Sequence, residues 1–183
     1  MRLDYVIILT FGMLLISRAD IQAQIPEKIN REGLIAYWDF SDKEDIGKSK
    51  GKFKGSLTTC GHPVTVLDDG PLSGKSILFD GKSYLTLPYS QTGELDILNN
   101  QVTILAWVKW TGEQTGFICG MWNEHENGGK RQYGLFVSLP HYNGHDQVCG
   151  HISKSGKPTP PFPYSIDYSA SKQKVPHNTN GVA

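Results

Sequence analysis

Val102-Thr103-Ile104-Leu105-Ala106-Trp107-Val108-Lys109-Trp110 is the stretch on which the reading of this chain turns. On an extended backbone Val102, Ile104, Ala106, Val108 and Trp110 share one face, which is wholly apolar, and Thr103, Leu105, Trp107 and Lys109 share the other. A period of two predicts a half-buried strand with its first face turned inward. The pattern returns upstream, where Leu34, Ala36, Trp38 and Phe40 fall on one side of Leu34 to Phe40. Downstream, three further short runs follow, Gly116 to Trp122, Tyr133 to Leu139 and Gln147 to Ser153, separated by Gly, Asn and Pro. Short strands punctuated in this way predict an all-β sandwich or barrel rather than a fold with helical crossovers.

Between these runs, Val64 to Leu67 suits a short strand and Asp68-Asp69-Gly70-Pro71 a turn. Ser76 to Leu87 is two apolar runs joined through Asp80-Gly81, which predicts a tight hairpin or a sharp bend between strands, because Gly supplies positive φ there. Residues 41–56 read as a solvated loop, and Leu95 to Asn100 suits a single helical turn. From Ser155 the prolines of Gly156 to Pro163 predict an extended surface segment, with a ligand for a proline-recognition module as the sharper alternative. Ser169 to Ala183 reads as a polar tail.

Composition agrees with many turns and short strands: 183 residues include 20 Gly and 10 Pro, and the length suits one domain. Basic and acidic residues balance at 18 each, so no long-range field recruits nucleic acid or anionic lipid. The first residues differ in kind. Arg2, the apolar run Val6 to Ile16 and the small residue ending Ile21-Gln22-Ala23 predict a signal peptide over 1–23, followed by a linker over 24–32. The run is short for a membrane span, so the expectation is a secreted, periplasmic or cell-surface protein with no stable membrane insertion after cleavage. Cys60, Cys119 and Cys149 then meet an oxidising compartment. A Cys119–Cys149 bridge and two buried thiols both fit, and no Cys-x-x-Cys spacing supports a zinc or dithiol site.

Gly33-Leu34-Ile35-Ala36-Tyr37-Trp38-Asp39-Phe40, then Ser76-Ile77-Leu78-Phe79-Asp80-Gly81-Lys82-Ser83-Tyr84-Leu85, then Thr103-Ile104-Leu105-Ala106-Trp107-Val108 together resemble the laminin-G-like members of the concanavalin A-like lectin and glucanase superfamily. The resemblance implies a two-sheet antiparallel jelly-roll sandwich over residues 33–168. In that family further strands follow about where Pro176 to Ala183 lies, so it also implies a partial, C-terminally truncated domain.

Retaining glucanases need two carboxyl groups about 5 Å apart. The close pair here, Glu124 and Glu126, lies in a loop-like stretch, so no catalytic residue is assigned and a glycoside hydrolase, or a fragment of one, is kept as the alternative function. His141 and His145 stand four apart, but Pro140 and Gly144 oppose the helix that would make them zinc ligands. Asp42, Asp68, Asp69 and Asp80 could help hold a structural calcium ion, with no recognisable loop to fix which; no other cofactor is expected. Sugar binding needs an aromatic face and planar polar groups. Trp122, Asn123, Glu124, Arg131, His141, Tyr142, Asn143 and Asp146 cluster in two loops expected at one rim of the sandwich; alternatively, Trp122 and Tyr142 cap the core. The resulting expectation is a secreted, non-catalytic module that binds carbohydrate or an extracellular glycoconjugate, or serves adhesion. A truncated product without function is the third reading.

Overall fold

The computed structural model describes residues 31–112, 114–123, 130–139, 144–153, 155–156 and 170–176. The expected leader, most of the linker and the proline-rich segment beyond Gly156 lie outside them. Among the described residues there are eight strands, three single 3-10 turns and no α-helix. The strands are β1 (Thr58–Gly61), β2 (Thr65–Gly70), β3 (Gly74–Leu78), β4 (Ser83–Thr86), β5 (Gly116–Asn123), β6 (Lys130–Leu139), β7 (Gly144–Ile152) and β8 (Ala170–Lys174). Every pairing is antiparallel, and the strands form three ladders: β1 with β4, β2 with β3, and β5-β6-β7-β8 in that order. The protein is all-β over this range.

The large sheet is a meander, and two bulges between β5 and β6 set where the side chains around them point. Phe117 pairs with Phe136 and Cys119 with Leu135, so Ile118 is an extra residue on β5; Met121 pairs with Tyr133 and Trp122 with Arg131, so Gln132 is an extra residue on β6. Each bulge flips the alternation of its own strand. One face consequently collects Phe136, Cys149 and His151 with Trp122, while Leu135, Val137 and Val148 lie on the other. Cys119, paired with Leu135, and Cys149, paired with Phe136, thus sit on opposite faces with β6 between them, and both thiols are free. A disulfide needs β-carbons about 4 Å apart, so no bridge joins this pair.

Several expectations meet a different structure. The segment 102–110 forms no ladder. Ile104 and Val108 instead border, with Leu135, Val137 and Val148, an apolar cavity over the sheet. Trp110 is buried, but Ala106 and Val108 are exposed, so the inward face is realised only at its ends. Two contacts tie its end down: Lys109 Nζ bonds Asp69 of β2 at 2.6 Å, and the Trp110 indole donates to the Gln114 carbonyl at 3.3 Å. Leu34 to Phe40 also forms no regular strand. It is tied by two backbone bonds, Lys50 N to Tyr37 O and Phe53 N to Ile35 O, to the stretch expected as a solvated loop. Phe53 is buried there, edge-on to Trp38 at 6.4 Å between ring centroids.

Asp80-Gly81 makes a bend and not a hairpin. β3 pairs back to β2 and β4 to β1, and Gly81 takes φ +80° between them. The expected helical turn falls slightly earlier, at Gly93–Leu95. β1 has no apolar alternation, and β8 lies in the stretch read as a polar tail; both are strands because a neighbour offers an open edge.

Candidate functional site

β5 and β6 bring Trp122, Asn123 and Arg131 to one end of the large sheet. The Arg131 guanidinium stands over the Trp122 indole, 5.6 Å from its centroid, a cation-π arrangement. The indole also meets Phe136 at 5.2 Å and His151 at 5.3 Å, both edge-on, and Phe136 meets His151 at 5.4 Å. Gly134 makes this possible: a β-carbon there would press on Phe136 and Trp122 at 2.8 and 3.1 Å. Arg131, Phe136 and His151 are buried and Trp122 is half-buried. Most of the indole surface is therefore spent on packing, and Arg131 positions it.

Asp146 lies elsewhere. Successive hairpins of a meander turn at opposite ends, and the ten residues of β6 span about 30 Å. Trp122, Asn123 and Arg131 belong to the end where β5 meets β6; Asp146, just after Gly144, belongs to the end where β6 meets β7. The two groups do not share a rim. Glu124, Glu126, His141, Tyr142 and Asn143 lie outside the described residues.

Asp146 takes φ +59° within an irregular stretch of the β6–β7 ladder, opposite Ser138 at φ +53°. Its carbonyl accepts from Val175 N at 2.5 Å, and its carboxylate meets Lys174 Nζ at 3.6 Å. The residue ties down the end of β8.

The four aspartates considered for calcium each hold a local turn or a side-chain partner. Asp42 accepts from Glu44 N and Asp45 N and pairs with Lys48 at 3.1 Å; Asp68 pairs with Lys75; Asp69 meets Lys109 and Ser76; Asp80 accepts from Lys82 N, Ser83 and His62. Among the described residues no three His, Cys, Asp or Glu side chains converge on one point. Burial pushes the Cys119 thiol up to about 11, and burial also raises Cys149, so both stay protonated and unreactive near neutrality. Among the described residues no helix is long and apolar enough to cross a membrane.

Sequence reasoning missed Phe136 and His151 as neighbours of Trp122. Both stood in strand-like runs, but their meeting depends on the register that sets Gly120 opposite Gly134 and Gly134 opposite His151, which no periodicity announces. No protein-family model matches the chain, and no curated protein or solved structure matches it either.

Proposed function

We propose that the chain is a secreted, non-catalytic, laminin-G-like jelly-roll module that binds carbohydrate through the Trp122 end of its large sheet. The observation that carries this reading is the half-buried indole of Trp122, fixed by Arg131 and Phe136 at the end of β5, where Asn123 is the next residue. A rigidly held indole and an amide at the same sheet end suit the apolar face and a hydroxyl of a pyranose. Antiparallel strands throughout and an even charge balance support a neutral extracellular ligand.

A glycan array, read beside a reducing-sugar release assay, tests this. Retention of at least one glycan without sugar release is expected, and Asn123→Ala should abolish retention while leaving the circular dichroism spectrum intact. A folded protein that retains no glycan overturns the proposal. Sugar release that Glu124→Gln abolishes would replace it with the hydrolase reading.

A further inference from the structure

An apolar cavity of about 320 Å³ opens between the segment 104–108 and the large sheet. Every side chain lining it is aliphatic, among them Ile104, Val108, Leu135, Val137, Val148 and Val175. Leu105, Ala106 and Val108 at its rim are exposed, so the space is a cleft partly open to solvent, with Val175 on one side. Val175 is the residue immediately after β8, and β8 is the most weakly held strand of its sheet.

Three observations show that weakness. Only two registered pairs join β8 to β7, Gln147 with Lys174 and Cys149 with Ala170, and an irregularity separates them. Side chains replace the missing ladder: Val148 N donates to the Ser171 hydroxyl at 3.1 Å, and the Gln147 amide donates to the Ser171 carbonyl. The far end rests on Asp146, through the Val175 amide and a Lys174 ion pair whose lysine is 69% exposed. An exposed pair of that kind contributes little. β8 carries no large apolar side chain of its own.

We propose that β8 with Val175 is a detachable strap, latched at Asp146, whose release uncovers more of the apolar cleft and frees the outer edge of β7 while β5, β6 and β7 stay paired. Local opening of this sort is the low-stability end of a fold's range of opening energies. The strap does not depend on sugar binding at the Trp122 end.

Hydrogen exchange by mass spectrometry on the full chain tests it, together with the fluorescence of an anilinonaphthalene sulfonate dye. Amides of 170–175 should exchange at least about tenfold faster than those of 131–137, the ratio set by about 1.4 kcal/mol of opening energy. Val175→Asp should speed 170–175 further and raise dye fluorescence, with 131–137 unchanged. Lys174→Ala, which removes only the exposed ion pair, carries the same expectation at smaller size should Val175→Asp fail to fold. Equal exchange in the two segments would show that β8 opens only with the whole sheet and would overturn the proposal. Faster exchange in the folded variants without added dye signal would overturn it too, because the strap would then not cover the cavity.

Discussion

Asp80 holds the bend between β3 and β4 from several sides, and that makes it the residue whose charge matters most to the small ladders. Its carboxylate accepts from the Lys82 amide at 2.8 Å, from the His62 ring at 2.8 Å and from the Ser83 hydroxyl at 3.0 Å. These bonds, the backbone one foremost, lower its pKa from 3.8 to about 2. A carboxylate depressed in the folded state contributes stability that is fully present above its unfolded value and is lost as pH falls through the folded one. The window is therefore from 3.8 down to about 2. Melting temperature followed across that window should fall more steeply in the wild type than in Asp80→Asn, which cannot titrate. The difference will be small, because the site is exposed and solvent screens it. Parallel slopes would show that the bend does not depend on the charge.

At the scale of elements, Gly120 and Gly134 face each other across β5 and β6, and their lack of side chains sets how closely the strands approach beside the aromatic cluster. A β-carbon at Gly120 would fall on the Tyr133 carbonyl oxygen and within 2.6 Å of the Gly134 α-carbon, both backbone atoms that cannot swing aside. Gly120→Ala should cost about 2 kcal/mol in urea unfolding, the scale of an overpacked core. It should also weaken the ring contacts of Trp122, visible in near-ultraviolet circular dichroism. β5, β6 and β7 were legible in the sequence because each is a short apolar run bounded by Gly, Asn or Pro. β1 was not, since Thr58-Thr59-Cys60-Gly61 carries no alternation and pairs through its backbone, with one added bond from the Thr58 hydroxyl to the Thr86 carbonyl. The segment 102–110 shows the converse failure: alternation states which side chains seek burial, but a ladder needs a free neighbouring edge. Here Val102, Ile104 and Trp110 gain cover without one. The site was legible only in part for a similar reason. Arg131 lies beside Trp122 because their strands are paired, and Asn123 shares that end as the next residue of β5, whereas the place of Asp146 is set by which end of the sheet its hairpin reaches.

At the scale of the whole molecule, backbone pairing falls into three separate ladders, and no described strand joins one to another. The two small ladders have two strands each, and an isolated two-stranded ladder is marginal in water. The large sheet has four strands and holds Phe136, Val137 and Cys149, three of the five buried apolar residues among those described. Upstream, Trp38 and Phe53 are held by one ring contact and two backbone bonds, and the surrounding turns are fixed mainly by short aspartate contacts such as Asp39 with Ser41 and Lys50. Burial in that region is shallow, so its opening should cost less than opening the Trp122 cluster. The chain has four tryptophans, which makes the difference measurable at defined points. In protein labelled with 5-fluorotryptophan, the fluorine resonance of Trp38 should reach its unfolded position at a lower temperature than that of Trp122, with Phe-for-Trp variants assigning each signal. Non-coincident transitions would mean that the protein does not unfold as one cooperative unit. If all four resonances moved together, the small ladders and the large sheet would share one core, and the weakness ascribed to the upstream half would be wrong.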